Sequence, residues 1–554
     1  MRSSFHILFS LFVFAINVCD AQQVVRTGDM VFPRFFHATA LLKDGRVLAV
    51  GGFAGDGGET KSAEVYDPAN GTWRRVGDTV AELIFPLAVS LHDGRVLIVR
   101  GRSLELFDPT TEKFSTVGSV PGSIGAALLL PDGRVFLAGE PENNSALYDP
   151  VTGVAATLET MEASVPIALP DGRLVMIGSS SAWIYEVKET SLKLLFRHDF
   201  GRTLYQTSAA LLLDGNILIP GGSITPFNGP TSRTSVLYDP RRGTVRSTGN
   251  LPEAQNLYGI TSLNDGSVLT TGGFELDWAT SNYYYPPALY DPSSERFTSV
   301  RVPVIYAATQ LQDGRVLLSG GQGPTAFLYS PPPRVISSAS FASRVAPGSL
   351  ATLFGVGLST ETAAAGHGAL PVNLGGSSLA IVDSAGTTRL ADLLYVSPLQ
   401  INFVVPSDFQ PGKLSLTVQR SDGVQIRANA DANILAPALF AYPDSGPIAY
   451  GLRMEPNGST TVLLPHQAIV LDERPVYLVL YATGIRNRLS LANAQVDIGG
   501  VTVPVEYAGP EGSGTPGLDQ VSVRLTSDLK GVGVANLVLT VDGIPSNTVS
   551  VEIR

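Results

Sequence analysis

Along residues 38 to 320 the chain alternates short runs of apolar and small residues with one recurring polar punctuation, an Asp-Gly pair, as in HATALLKDGRVLAVGG from His37 to Gly52. The pairs begin at Asp44, Asp93, Asp132, Asp171, Asp214, Asp265 and Asp313. Asp-Gly between alternating apolar runs favours the primed hairpin turns that need φ > 0, so each phrase predicts two antiparallel strands, a and b. A second pair of strands is marked by Tyr66-Asp67-Pro68, Phe107-Asp108-Pro109, Tyr148-Asp149-Pro150, Tyr238-Asp239-Pro240 and Tyr290-Asp291-Pro292. The aromatic belongs to strand c, and Asp-Pro opens the turn into strand d. Tyr185-Glu186-Val187 and Tyr329-Ser330-Pro331 keep the aromatic and the spacing in the fourth and seventh units.

Between the first and last Asp-Gly run six periods of about 45 residues, which predicts an all-β chain with a seven-bladed β-propeller. No strand d follows Tyr329, where Pro331-Pro332-Pro333 intervenes. The segment from Gln23 to Asp29 has the pattern of an orphan strand d, so it is expected to complete the seventh blade and close the ring, which removes exposed sheet edges.

PRFFHATALLKDGRVLAVGG from Pro33, then EVYDP from Glu64, then Trp73 resemble the kelch family, and the likeness extends over residues 23 to 331. The family's double glycine survives at Gly51-Gly52, Gly221-Gly222, Gly272-Gly273 and Gly320-Gly321 and decays in the second to fourth units; the strand-d Trp remains at Trp73. The resemblance implies the propeller and leaves function to the site.

Beyond Pro333 the period stops and a longer duplication begins. Phe354-Gly355-Val356-Gly357-Leu358 answers to Tyr481-Ala482-Thr483-Gly484-Ile485, Leu374-Gly375-Gly376 to Ile498-Gly499-Gly500, and Tyr395 with Gln400-Ile401 to Tyr507 with Gln520-Val521. Two similar β-sandwich subdomains are predicted, 332–436 and 437–554, after a propeller over 22–331. VAPGSLATLFGVGLS from Val345, YVSPLQINFVVP from Tyr395, LYATGI from Leu480, VDIGGVTVPVEYAGP from Val496 and PSNTVSVEI from Pro545 resemble a carboxy-terminal domain of secreted acidobacterial proteins. That resemblance implies a secreted, modular, immunoglobulin-like partner and no chemistry.

Arg2 precedes an apolar stretch from Ile7 to Val18 that is too short to span a bilayer, and Cys19-Asp20-Ala21 has small residues at the −3 and −1 positions of a cleavage site. Residues 1–21 therefore read as a signal peptide, and the chain as secreted, periplasmic or on the cell surface. Lipidation of Cys19, the one cysteine, is the alternative, with Val18 a poor residue before it. No other segment is long and apolar enough to insert in a membrane. A formal charge of −11 without a Lys/Arg cluster argues against nucleic acid or an anionic membrane as partner. With 44% hydrophobic residues there is material for several cores without disulfides.

Asp-Gly and Asp-Pro turns share one face, so the opposite face carries the b–c loops and the loops leading into each strand a. That funnel is the default binding site. The long b–c loops are Phe53 to Lys61, Ser223 to Arg233 and Phe274 to Tyr285, the last holding Glu275, Asp277, Trp278 and Tyr283 to Tyr285. Candidate ligand-binding residues are Arg34, His37, Arg202, Tyr205, Gln206, Asn256, Tyr258, Trp278 and Tyr306. Polar groups beside aromatic platforms suit a sugar. The plainer readings stand beside these: Phe35, Phe36, Tyr258 and Tyr306 as channel plugs or blade packing, Trp278 as loop packing, and Arg34 or Arg202 in a structural pair with Glu82 or Asp199.

Enzyme signatures are sparse. His37, His198, His367 and His466 are scattered, His92 adjoins an Asp-Gly turn on the other face, and there is no HExxH, GxSxG, phosphate-binding loop or DxDxDG. No metal or other cofactor is expected, and Asp56-Gly57-Gly58-Glu59 reads as a loop. Galactose oxidase, a kelch relative, uses copper with a cysteine crosslinked to a tyrosine, which the cleaved chain lacks the cysteine to build. Three functions remain: a carbohydrate- or peptide-binding propeller, which the residues favour; a carbohydrate-active enzyme using Arg34, His37, Arg202 and Glu275 or Asp277; and a surface adhesion or scaffold module.

Overall fold

The computed structural model describes residues 23–54, 58, 60–83, 85–140, 142–160, 165–201, 208–223, 231–255, 259–271, 274–275, 283–302, 305–321, 323–366, 368–442, 446–464 and 468–554. Within them the chain is all-β, its helices being two short 3₁₀ turns, Leu491–Asn493 and Ser527–Leu529. None of these helices is long and apolar enough to cross a membrane.

The Asp-Gly phrases fold as their pattern demands. In the first unit, Ala38–Leu41, Val47–Val50, Ala63–Asp67 and Thr72–Arg75 form one antiparallel sheet in chain order. The second strand, VLAV, is buried at every position, because a strand covered on both faces carries a continuous apolar run. Gly45 at the turn has φ +90, the conformation that Asp-Gly supplies. Sheets of the same order are formed by Val165–Ala168, Leu174–Ile177, Ser181–Val187 and Leu192–Asp199, by Ala210–Leu211, Ile217–Pro220, Ser235–Asp239 and Thr244–Ser247, and by Gly259–Ser262, Val268–Thr271, Ala288–Asp291 and Arg296–Ser299.

The second and third units differ from simple four-stranded blades. Val96–Asp108 pairs with Leu87–Ser90 through its first half and with Lys113–Leu129 through its second, and Lys113–Leu129 continues into a pair with Val135–Gly139. With almost no b–c loop in the second unit, strands b and c run on as one. Register shifts near Gly118 and between Ser119 and Ile124 bend the long strand, and a single six-stranded sheet results.

Closure follows the expected route. Gln23–Arg26 pairs antiparallel with Ala326–Ser330, Val24 opposite Tyr329, as the outer strand of a sheet whose other members are Val316–Ser319 and Ala307–Gln310. Beyond that strand, Thr27 Oγ1 lies 2.7 Å from the Tyr66 hydroxyl, and Met30, buried, packs with Tyr66, Trp73 and Leu317. The amino-terminal segment thus joins the last sheet to the first. His198 with Tyr238 and Thr248 with Tyr290 repeat the latch between other neighbours, at 2.7 and 2.6 Å.

Residues 334–554 hold two further cores, each shared by two sheets. Leu353, Ile401, Leu379 and Leu416 belong to one, and Leu478, Val521, Val496 and Leu537 to the other. The duplication read from sequence is a duplication of register: Phe354 pairs with Gln400 and Tyr481 with Gln520. A register shift falls immediately before Tyr395 in one copy and Tyr507 in the other. The copies part at their Gly-Gly hairpins. After Gly375-Gly376 the following strand, Ser377–Val382, joins the neighbouring Gly412–Arg420, whereas at Gly499-Gly500 the preceding strand, Ala494–Ile498, joins Gly533–Val541.

This half meets the propeller on its turn face. Arg334 donates to the Asp265 carbonyl at 2.8 Å and pairs with Asp291 at 2.6 Å, Arg242 Nε donates to Asn536 at 3.0 Å, and Gly314 lies so close to Leu399 that a Cβ would come within 2.5 Å of it.

Candidate binding face

The opposite face of the first two units carries a repeated constellation. Glu64 and Glu105 stand three residues ahead of Asp67 and Asp108 in their strands, buried at 0% and 2% exposure. A buried carboxylate must be satisfied. Glu64 accepts the backbone N–H groups of Val31 and Phe32 at 2.5 and 3.2 Å, and Glu105 those of Val80 and Ala81 at 3.0 and 3.4 Å. Val31 and Val80 occupy the same place, thirteen residues ahead of Asp44 and Asp93, and both side chains are exposed.

Five residues after each valine stands a phenylalanine at positive φ, Phe36 at 56° and Phe85 at 45°. A bulky residue in the left-handed region costs about 1–2 kcal/mol, so the surrounding contacts must hold it there. The two rings meet at 4.6 Å between centroids. Phe36 also meets Tyr306 edge-on at 4.9 Å, and Phe35 stacks on Phe53 at 5.3 Å. Phe85 caps this cluster with 54% of its surface exposed.

Arg34 lies beneath, fully buried. Its Nη1 donates to the carbonyls of Gly51 and Ser62, both at 2.9 Å, and its Nη2 to Ser62 Oγ at 2.9 Å and Glu64 Oε1 at 2.6 Å. The pairing foreseen with Glu82 is made with Glu64 instead, since Glu64 shares the interior and Glu82 is exposed. Burial lowers the Arg34 pKa and Glu64 opposes the fall. With its charge committed inside, Arg34 fixes the double-glycine corner. The second unit puts Leu83 at the corresponding position.

His37 is also interior, its Nε2 3.1 Å from Ser319 Oγ. A Cβ at Gly320 would lie 2.4 Å from its ring, and one at Gly52 would strike the Phe35 carbonyl at 2.5 Å, a packing reason for both glycine pairs. Burial, with the nearby Arg34 charge, pushes the imidazole down to about 3, so it is neutral near pH 7.

Of the candidates, the structure gathers Arg34, His37 and Tyr306 into one region, the first two as supports and Tyr306 within the aromatic cluster. Arg202, Tyr205, Gln206, Asn256, Tyr258 and Trp278 lie outside the described residues, as do His367 and His466. His198 is engaged with Tyr238, and Asp199 with Arg197 and Ser181. Among the described residues no group of three or more His, Cys, Asp or Glu could hold a metal. Phe85, Val80 and Glu105 were missed by reading apolar runs alone; their signal is the shared offset from Asp-Gly and Asp-Pro in two consecutive units.

The first unit's part of this constellation overlaps a match to a family model. Residues 34–79, from the buried arginine to the end of the first unit, match the Kelch motif. The chain carries a kelch-type repeat. It is 30% identical over 126 residues to an F-box/kelch-repeat protein of Arabidopsis thaliana, covering 21% of this chain and 31% of that one. It is 23% identical over 309 residues to galactose oxidase of Gibberella zeae, covering 52% of this chain and 44% of that enzyme. The chain thus spans less than half the length of either relative.

Proposed function

We propose that this protein is an exported binding module, a seven-bladed kelch-type propeller over 22–331 followed by two immunoglobulin-like sandwiches over 332–436 and 437–554. The seven Asp-Gly phrases support the blade count, with the six-stranded sheet counted as two blades. The ligand face is the one opposite the turns, since residues 334–554 pack on the turn side.

The observation that carries the reading is the repeat of an exposed valine and a positive-φ phenylalanine, each loop pinned by a buried glutamate. Strained residues concentrate where function requires them, and exposed apolar patches mark interaction sites. Valine and phenylalanine favour the apolar side chains of a peptide. The carbohydrate alternative draws on the backbone pairing of Phe274–Glu275 with Tyr283–Tyr284, a hairpin in the aromatic-rich third b–c loop.

A phage-displayed peptide library and a glycan array, each probed with the protein lacking residues 1–21, test this. Phe85→Asn removes the ring and keeps the left-handed backbone at low cost. At least one selected ligand should bind the variant about tenfold or more weakly, the 1–3 kcal/mol expected of an aromatic anchor. Equal binding of every selected ligand by both proteins, or no ligand from either library, would contradict the proposal.

A further inference from the structure

We infer a second binding site, for a neutral oligosaccharide, in the groove between the propeller's turn face and the carboxy-terminal sandwiches. Two neighbouring cavities, of about 250 and 200 Å³, share Leu213, Asp214, Ser340 and Phe341 in their linings, so together they form one groove with Phe341 at the junction. Its walls come from parts of the chain that share no core: the Asp214-Gly215 turn of the propeller, the Phe341 loop beside the first sandwich, and Tyr442 with Asn547 of the second.

The aromatic side chains here are held outward. Phe341 sits at φ 59 with 36% of its surface exposed, and Tyr442 is 48% exposed. An exposed bulky residue in the left-handed region is an outlier that solubility and packing disfavour. It repeats the device of Phe36 and Phe85 on the opposite face.

Charge selects the ligand. Arg241 and Arg242 line the larger cavity, and both are paired with Asp239, at 2.9 and 2.5 Å; with Asp214 in the same lining, two carboxylates balance the two guanidinium groups, so the groove carries no net positive charge to draw an anion. What the groove offers instead is directional. The Asp214 carboxylate accepts from Asn216 N and Nδ2 at 2.9 and 2.7 Å and keeps further lone pairs. The Asn547 amide grips both backbone groups of Leu439, at 2.8 and 3.0 Å, and keeps one N–H. Balanced donors and acceptors beside two aromatic faces match a chain of pyranose rings, whose C–H faces stack while their hydroxyls bond. The site is independent of the Phe85 face, and a ligand in it would bridge propeller and second sandwich.

The test is calorimetric titration of the protein lacking residues 1–21 with cellohexaose, xylohexaose, mannohexaose, maltohexaose and chitohexaose, and with hexagalacturonate as the anionic arm. At least one neutral hexasaccharide should bind, with Kd of about 1 mM or tighter. Tyr442→Ala and Phe341→Asn, the second chosen to keep the left-handed backbone, should each weaken it about tenfold, and Phe85→Asn should leave it unchanged. Binding of hexagalacturonate alone, no binding of any neutral probe, or equal affinity in Tyr442→Ala would overturn the inference. A sugar lost with Phe85→Asn and kept with Tyr442→Ala would also overturn it while leaving the first site standing.

Discussion

Deleting residues 22–30 should lower the melting temperature of the propeller by roughly 10 °C and make the protein prone to associate. The segment supplies four antiparallel backbone pairs to Ala326–Ser330, the Thr27 partner of the Tyr66 hydroxyl, and the buried side chain of Met30. Burying a methionine alone is worth about 2 kcal/mol or more, and losing the strand also bares the edge of Ala326–Ser330. Several kcal/mol on a domain of this size correspond to a shift of that order. A gentler variant separates closure from deletion: Thr27→Val leaves the Tyr66 hydroxyl without its partner and should cost about 1–3 kcal/mol. Calorimetry of the three proteins decides the matter, and superimposable melting curves would show that the ring does not depend on this strand.

Acid should destabilise the protein through His37, and a substitution there should remove that part of the effect. The folded imidazole titrates near 3, against 6.5 when unfolded, because burial and the Arg34 charge disfavour its protonated form. Between those values the unfolded chain binds the proton and the folded chain does not, so stability rises with pH across the window. The contribution is complete above pH 6.5 and drains away as pH falls toward 3. From pH 7 to pH 5 this single group should cost about 2 kcal/mol. His37→Gln keeps a partner for Ser319 and does not titrate. Urea denaturation at the two pH values should show the variant losing less stability than the parent by that amount; an equal loss would mean that the ring is accessible to protons in the folded state.

Much of the architecture is legible because two local rules are strong. Asp-Gly dictates a hairpin, and its spacing sets the unit, so the closing strand could be found from what the last unit lacks. The carboxy-terminal duplication was visible for the same reason: Phe354 with Gln400 and Tyr481 with Gln520 are matched in sequence and pair in space. Continuity was harder to see. That Val96–Asp108 would run through two strand positions depends on Gly101 taking φ 55 in mid-strand, which apolar periodicity does not report. The binding face was half legible. Arg34, His37 and Tyr306 drew notice as polar or aromatic groups near the funnel, yet the first two are interior supports, since a long side chain at a strand start can turn inward when Glu64 waits for it. The exposed partner, Phe85, looks like any core residue until its offset is laid beside that of Phe36.

The central claim, a ligand held on the loops of the first two units, is tested most directly by hydrogen–deuterium exchange of the full protein with and without a peptide selected from the displayed library. Slowed exchange in residues 30–37 and 77–86, the two loops anchored by Glu64 and Glu105, is the predicted result. Protection confined to residues 334–554, with those loops exchanging as in the free protein, would contradict it.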